Sequence, residues 1–161
     1  MTKKVALITG GGRGIGKLTA LTLASNGWTI IVAGRNLEAI ERVAREAKND
    51  SIAIHCNVME QDNVKKLFSE IEDKYTRLDL LFNNAGMNVP NSPIDEITLD
   101  QWQEIVGSNL SGAFYCTQQA FKLMKKQDPQ GGRIINNGSI SAHVPRPNSC
   151  LLYTSPSPRD S

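Results

Sequence analysis

Glycines are concentrated in one stretch near the start of the chain, TGGGRGIG at positions 9–16, between an apolar run and an amphipathic one. Glycine permits positive φ angles and lets a phosphate group approach the backbone closely. A helix that begins at such a turn offers free N–H groups and the positive end of its dipole to an anion. The stretch therefore predicts a pyrophosphate-binding turn, and the alternative is a tight strand-to-helix turn without a ligand.

The spacing of these glycines separates several kinds of nucleotide site. Gly10 and Gly12 match the first two glycines of the pattern G-x-G-x-x-G, but Ile15 occupies the position of the third glycine. The phosphate-loop pattern G-x-x-x-x-G-K-[ST] starts correctly at Gly11 but has Leu18 where a hydroxyl would hold magnesium. A phosphate-loop type of nucleotide binder therefore stays as an alternative. A third pattern, T-G-x-x-x-G-x-G, is met in full.

Around this turn, the chain alternates short apolar runs with amphipathic stretches. An apolar run without alternation, as at 5–9, is typical of a strand that is covered on both faces. Strands are predicted at 5–9, 28–34, 51–56, 78–82 and 132–139. Helical periodicity is found at 15–25, 37–47, 64–75, 98–107 and 109–127. This order predicts an α/β protein with a doubly wound parallel sheet and helices on both faces.

Two details of the predicted helices can be checked against a structure. Asn36 precedes the second helix and is predicted to be its N-cap. The packing face of the first helix is predicted to consist of four residues at helical spacing, Ile15, Leu18, Thr22 and Ser25.

Polar or glycine clusters follow every predicted strand. They are Gly10–Gly16, Gly34-Arg35, Asn57-Val58, Asn83–Gly86 and Ser139. The carboxyl ends of parallel strands meet at one edge of a sheet, and ligands bind there in open α/β sheets. The clusters therefore predict one site at this edge.

Four motifs in this order carry a family resemblance. They are T-G-x-x-x-G-x-G (Thr9, Gly10, Gly14 and Gly16), NNAG at 83–86, Asn109, and the GS pair at 138–139. Together they resemble the short-chain dehydrogenases/reductases, from about residue 3 to 149. The resemblance implies a Rossmann-type fold and hydride transfer between a nicotinamide cofactor and a small-molecule carbonyl or alcohol substrate. It also implies a homo-oligomer, either a dimer or a tetramer.

The end of the second predicted strand bears on the choice of cofactor. In a βαβ site, an acid at this point binds the ribose 2′-hydroxyl of NAD and repels a 2′-phosphate. Here Gly34 leaves space and Arg35 brings a guanidinium that suits a phosphate, with Arg13 as a second charge. We therefore expect NADP(H) rather than NAD. The alternative is that both arginines are ordinary solvated surface residues.

The other cofactor contacts follow from the resemblance. Asn57 stands where the family usually has an aspartate that contacts adenine, and its amide can still donate and accept hydrogen bonds. The NNAG segment is implied to support the sheet and to line the adenosine-ribose side. The candidate cofactor-binding residues are Gly10, Gly12, Arg13, Gly14, Ile15, Gly16, Arg35, Asn57, Val58, Asn84, Ala85 and Gly86.

The resemblance also supplies candidate catalytic residues. Ser139 matches the serine that hydrogen-bonds the substrate oxygen, and Ser141 is a less favoured alternative. Asn109 matches an asparagine that holds a water in the proton relay. A strand-end hydroxyl and a helix cap are the respective structural alternatives.

The family's Y-x-x-x-K pair is not matched in this chain. Counted from Ser139, the family's spacing places the tyrosine at position 152, which is Leu152. Tyr153 comes one residue later, and the lysine position counted from Tyr153 is occupied by Ser157. Pro156 and Pro158 would break the helix that carries the pair. The tail resembles translated sequencing-adapter sequence.

We therefore expect an incomplete NAD(P)-binding domain at 1–149, truncated after the fifth strand, and a non-native tail at 150–161. A fragment without the tyrosine and lysine is expected to be inactive. Its last helix has a stripe of Leu110, Phe114, Thr117, Phe121 and Met124. That stripe is expected to leave apolar surface exposed, which favours aggregation or marginal folding.

Composition narrows the remaining classes of function. The net charge of +2 does not suggest a nucleic-acid or membrane partner, and no stretch approaches the roughly 20 apolar residues of a membrane span. Three cysteines, Cys56, Cys116 and Cys150, have neither disulfide nor metal spacing, which favours the cytoplasm and predicts no metal site. A non-catalytic dinucleotide-binding or regulatory protein of the same fold stays as an alternative to an enzyme.

Overall fold

The structure, a computed structural model, describes residues 3–88 and 93–139. Its strands are β1 (Val5–Thr9), β2 (Thr29–Gly34), β3 (Ile52–His55), β4 (Leu80–Asn83) and β5 (Arg133–Asn136). Its α-helices are α1 (Gly14–Ser25), α2 (Leu37–Ala47), α3 (Gln61–Tyr75), α4 (Leu99–Val106) and α5 (Gly112–Lys126), with a short 3₁₀-helix at Ile94–Glu96. The strands form one sheet in the order β3-β2-β1-β4-β5. All four strand pairings are parallel, which confirms the predicted fold class.

The sheet separates two hydrophobic cores, and β1 contributes to both. Val5 and Leu7 pack on the side of α3 and α5, whereas Ala6 and Ile8 pack on the side of α1 and α2. Successive side chains of a strand point to opposite faces, so a strand covered on both sides must be apolar at every position. This explains why β1 is apolar from Val5 to Ile8 without alternation.

The predicted packing face of α1 is wrong. Ile15 and Leu18 are 60% and 66% exposed, and the two polar members of the stripe are exposed as well. The helix instead buries three small residues, Gly16, Ala20 and Ala24. Small side chains let α1 lie close to the sheet and to the turn that precedes it.

The N-cap prediction for α2 is confirmed. Asn36 has extended backbone dihedrals, and its Oδ1 accepts a hydrogen bond of 2.9 Å from the N–H of Ala39. The cap satisfies one of the N–H groups that a helix start leaves without a backbone partner. It therefore fixes where α2 begins, directly after the Gly34-Arg35 pair at the end of β2.

The helices predicted at 98–107 and 109–127 are joined into one. A π-helical segment, Gly107–Ser111, lies between α4 and α5, and the backbone stays helical through it. Asn109 is in the middle of this segment, so it lies within a helix, as the predicted helix at 109–127 implied, and it does not act as a helix cap. Single π-helical turns inside α-helices are frequent at functional sites.

An apolar surface runs along the outer side of this long helix. Leu110, Phe114 and Phe121 are 60%, 58% and 60% exposed, which confirms the exposed stripe for these members. Met124 is wrongly assigned to the stripe, because it is buried in the core beside α3. No helix in residues 3–88 and 93–139 is long and apolar enough to cross a membrane.

Candidate functional site

The carboxyl ends of β1 to β4 surround one cavity of about 730 Å³. This volume lies within the range of small-molecule and cofactor sites, about 300–1,000 Å³. Every predicted cofactor-binding residue lines the cavity except Gly16, which lies behind the turn. Asn36, Cys56 and Ser108 line it too and were missed, because Asn36 was predicted only as a helix cap and the other two belong to none of the motifs.

The glycine-rich turn is built around two close backbone contacts. Gly10 has φ of +64°, and a Cβ on it would lie 2.9 Å from Cα of Ala85. A Cβ on Gly16 would lie 2.5 Å from the carbonyl oxygen of Gly10. These positions accept only glycine because the turn is folded tightly against the end of β4.

The start of α1 provides donors for an anion. Arg13 occupies the N-cap position, and its side chain makes no capping hydrogen bond. Gly14 has φ of +54° and open space where a side chain would be. N–H groups in an uncapped first turn, at the positive end of a helix dipole, suit a phosphate. The turn therefore has the form and polarity that a diphosphate requires.

Thr9 and Asn84 hold the turn against β4. The N–H groups of Asn84 and Ala85 each donate to Thr9 Oγ1 at 3.0 Å. The side chain of Asn84 donates through Nδ2 to the carbonyl oxygens of Thr9 (3.1 Å) and Gly10 (3.2 Å). Thr9 and the NNAG segment, found separately in the sequence, are thus partners in one network.

Asn83, the first residue of NNAG, serves a different purpose. It is buried, and its Nδ2 donates to Thr117 Oγ1 on α5 at 3.0 Å and to Asn136 Oδ1 on β5 at 2.9 Å. These bonds tie β4 to the neighbouring strand and to the helix above it. The structural role predicted for this part of the motif has a clear physical basis here.

The two arginines lie at the same rim of the cavity. Arg13 and Arg35 both line the cavity and are exposed, and neither forms a salt bridge within the described ranges 3–88 and 93–139. Among residues 3–88 and 93–139, those that line the cavity include no carboxylate. The rim is therefore positively charged and suited to an anionic group beyond the diphosphate.

Asn57 and Val58, which follow β3, form one wall of the cavity. Asn57 Oδ1 accepts a hydrogen bond of 3.3 Å from the N–H of Met59, which orients the amide. Val58 is held by α5, because a Cβ on Gly112 would lie only 2.8 Å from its Cγ2. This wall combines one polar amide with an apolar surface, as a planar base requires.

Cys56 and Cys116 are both buried, and Cys56 lines the cavity next to Asn57 in the sequence. Burial raises the pKa of Cys56 to about 11. Burial, together with the neighbouring Cys56, raises the pKa of Cys116 to about 12. Because the thiolate is the reactive form, both groups are poor nucleophiles at neutral pH.

We expect neither Cys56 nor Cys116 to react with iodoacetamide in native buffer at pH 8, and both to react fully in urea. Alkylation followed by peptide mapping assigns each modification to its residue. Native-state labelling of either residue at the rate of a free cysteine would contradict the burial of these thiols.

Asn109 is committed to the backbone that follows NNAG. Its Oδ1 accepts from the N–H of Met87 and its Nδ2 donates to the carbonyl of Met87, both at 2.9 Å. A Cβ on Gly86 would lie 3.0 Å from Asn109 Oδ1. The side-chain amide therefore anchors the segment after the cavity wall, and a water in a proton relay would have to use the main chain of this helical segment.

Replacing Asn109 with alanine should lower the free energy of unfolding by about 1–3 kcal/mol, since two hydrogen bonds to the backbone of Met87 are lost. Urea unfolding followed by circular dichroism measures this loss. Gln118→Ala removes an exposed amide from the same long helix and should change stability little. Equal stability of the Asn109 variant and the wild type would show that the anchor is dispensable.

Ser139 is exposed and follows β5 at the carboxyl edge of the sheet. Because β5 pairs with β4, Ser139 lies on the β5 side of the NNAG segment. Neither Ser139 nor Asn109 is among the cavity-lining residues. Ser141, Leu152, Tyr153 and Ser157 are outside the described residues. The described part of the chain contains no group of three or more His, Cys, Asp or Glu side chains that could hold a metal ion.

A parallel sheet with a glycine-rich turn after its first strand and a cavity at its carboxyl edge defines a Rossmann-type nucleotide-binding architecture. The family model described as short chain dehydrogenase matches residues 4–155. The chain therefore belongs to the short-chain dehydrogenase family, as the motifs indicated.

Individual relatives agree with this assignment. The chain is 36% identical over 156 residues to a 3beta-hydroxysteroid dehydrogenase of Mediterraneibacter gnavus, covering 95% of this chain and 55% of that protein. It is 40% identical over 151 residues to a 3-oxoacyl-[acyl-carrier-protein] reductase of Synechocystis sp., covering 91% of this chain and 60% of that protein. The chain thus spans a little over half the length of these curated relatives.

Solved structures show the same fold. A metagenomic short-chain oxidoreductase in complex with NADP aligns with a TM-score of 0.85 at 25% identity, over 91% of this chain and 66% of that one. A 3-ketoacyl-(acyl-carrier-protein) reductase from Brucella melitensis complexed with NADH aligns with a TM-score of 0.86 at 30% identity, over 90% and 60%.

Proposed function

We propose that this chain binds NADP(H) and that the protein transfers a hydride between the nicotinamide and a carbonyl or alcohol substrate. The observation that carries the cofactor choice is the rim of the cavity, where Arg13 and Arg35 are exposed and the lining residues that the structure describes include no carboxylate. An acid at the end of β2 would favour NAD. The related structures contain NADP in one case and NADH in another, so the preference has to come from this chain's own residues.

Each part of the cavity has a role in this proposal. The amides at the start of α1 bind the diphosphate, Arg35 and Arg13 bind the 2′-phosphate, and the wall of Asn57 and Val58 takes the adenine. Ser139 donates a hydrogen bond to the substrate oxygen, where charge develops as the hydride arrives. The nicotinamide, when bound, supplies the hydride.

A direct titration tests the proposal. The dissociation constants of NADPH and NADH are measured through nicotinamide fluorescence, and we expect NADPH to bind about 10–100-fold more tightly, the value of one charge-assisted hydrogen bond. If neither dinucleotide binds, the proposed function is wrong. If NADH binds as tightly as NADPH, the fold assignment stands and the role of the arginines does not.

A second candidate, a dinucleotide-binding protein without catalysis, is favoured by one observation. None of the three tyrosines, Tyr75, Tyr115 and Tyr153, is followed four residues later by a lysine as in the family's Y-x-x-x-K pair, and a general acid is needed at the carbonyl oxygen. NADPH consumption with a panel of small carbonyl compounds separates the candidates. Tight NADPH binding without turnover would support the second.

We also propose a homo-oligomer in a reducing compartment such as the cytoplasm. The exposed apolar residues of the long helix, Leu110, Phe114 and Phe121, form a surface that association would bury. The two buried cysteines in the described part of the chain are unpaired, as is usual in a reducing environment.

A further inference from the structure

The chain just after β5 contacts the NNAG segment through a second asparagine pair. The N–H of Asn137 donates to the carbonyl of Asn83 at 2.9 Å, which extends the pairing of β5 with β4 by one residue. The side chain of Asn137 donates through Nδ2 to Oδ1 of Asn84 at 3.0 Å. Asn137 therefore contacts the residue that holds the glycine-rich turn.

The amide of Asn84 can act on the turn in only one orientation. Its Nδ2 donates both hydrogens, to the carbonyls of Thr9 and Gly10. A flipped amide would place Oδ1 against these two carbonyl oxygens, and three acceptors would face one another without a donor. The site is also tight, because a Cβ on Gly16 would lie 2.6 Å from Asn84 Nδ2. Asn137 donates to Oδ1 on the opposite side of Asn84 and so stabilises the same orientation.

We propose that Asn137 is a positioning residue for the cofactor-binding turn. It donates to Asn84 Oδ1, Asn84 in turn holds the Thr9 and Gly10 carbonyls, and the start of α1 is fixed for the diphosphate. The chain that leads to Ser139 is thereby coupled to the cofactor turn. The inference rests on the proposed function for its binding readout, and on the contacts alone for the readout without cofactor.

Three substitutions of Asn137 separate donor chemistry from bulk. Asn137→Asp places a carboxylate against Asn84 Oδ1 and should raise the dissociation constant of NADPH about tenfold. Asn137→Leu removes the donor at similar size and should raise it about threefold. Asn137→Gln keeps a donor amide on a longer side chain at this exposed position, and should restore the constant to within about twofold of wild type. The dissociation constant for NADPH should therefore decrease in the order Asp, Leu, Gln. This order is expected if Asn137 acts by orienting the amide of Asn84.

Two controls accompany this series. Asn26→Asp makes the same amide-to-carboxylate change at the end of α1, at the other edge of the sheet, and should leave NADPH binding unchanged. In an Asn84→Ala background, Asn137→Asp should no longer alter the dissociation constant, because its target is gone. If Asn137 had only a structural role, its variants would have a lower thermal midpoint and a smaller fraction of protein bound to NADPH. The dissociation constant of the folded protein for NADPH would stay unchanged, which would contradict the inference.

A readout without cofactor keeps the inference testable by itself. The N–H of Gly11 donates to the carbonyl of Ala33 at 3.3 Å, so its hydrogen exchange reports on the turn. We expect about tenfold faster exchange at Gly11 in Asn137→Asp and unchanged exchange at Leu7 in the middle of β1. Unchanged exchange at Gly11 would overturn the inference. Absence of NADPH binding to the wild type would instead refute the proposed function.

Discussion

Replacing Arg35 with aspartate should raise the dissociation constant of NADPH by about 100-fold and leave that of NADH unchanged or slightly lower. The loss of a charge-assisted hydrogen bond accounts for about 1.5–3 kcal/mol, or roughly one to two powers of ten. Repulsion between the new carboxylate and the 2′-phosphate adds to this loss. The same carboxylate can accept a hydrogen bond from the ribose hydroxyl of NADH.

The surroundings of Arg35 explain why one side chain should have so large an effect. It follows Gly34, where a Cβ would lie 3.1 Å from Ile40 Cγ2, so the backbone passes close to α2 and little bulk separates Arg35 from the cavity. Arg35 also has no carboxylate partner within residues 3–88 and 93–139. Its charge is therefore available to a ligand and is not neutralised by the protein.

Fluorescence titrations at several salt concentrations provide the measurement for Arg35→Asp. The preference of the wild type for NADPH should shrink as ionic strength rises, because exposed charges are screened. Arg133→Asp makes the same charge change at the first residue of β5, at the amino edge of the sheet and so away from the cavity at the carboxyl edge. It should affect both dinucleotides equally. A preference that survives Arg35→Asp would show that the 2′-phosphate binds elsewhere.

Much of the fold is contained in local sequence patterns. β1 and β2 are apolar at nearly every position because the sheet is covered on both faces, and such runs are recognisable without a structure. The order of strands and helices then determines the edge where ligands bind. For this reason the residues after β1, β2, β3 and β4 could be assigned to one cavity from sequence alone.

Packing between elements is less accessible to sequence reasoning. The apolar stripe of α1 suggested its buried face, yet Ile15 and Leu18 are exposed while Gly16 and Ala20 are buried. The deciding factor is the close approach of α1 to the turn, which admits only small residues there. Hydrophobicity favours burial of large apolar residues. The distance between α1 and the turn, however, is set by the tertiary structure and cannot be inferred from the sequence of the helix.

Hydrogen bonds between side chains and distant segments could not be predicted from the sequence, for a related reason. The bonds of Asn109 to Met87 and of Asn137 to Asn84 join residues that are distant in sequence. They depend on the order and register of the strands and on the π-helical segment. Sequence motifs located Asn109 and Asn84 without revealing what each side chain contacts, and Asn137 had no motif at all.

Gly16→Ala should weaken NADPH binding about 100-fold and lower the free energy of unfolding by about 1–3 kcal/mol, because one methyl group overpacks the turn. The new Cβ would lie 2.5 Å from the carbonyl oxygen of Gly10, 2.6 Å from Asn84 Nδ2 and 3.0 Å from Cα of Gly11. Two of these three atoms belong to the backbone and cannot rotate away. Either the turn or α1 must shift, and both carry donors for the diphosphate.

The cause of this effect can be separated from a general loss of stability. Gly27→Ala forces alanine to a φ of +83° in open space beyond the end of α1, which costs about 1–2 kcal/mol without a clash. The two variants should therefore unfold at similar urea concentrations, yet only Gly16→Ala should lose NADPH affinity. Equal affinities in the two variants would mean that the tight packing of Asn84 against the turn does not determine where the diphosphate binds.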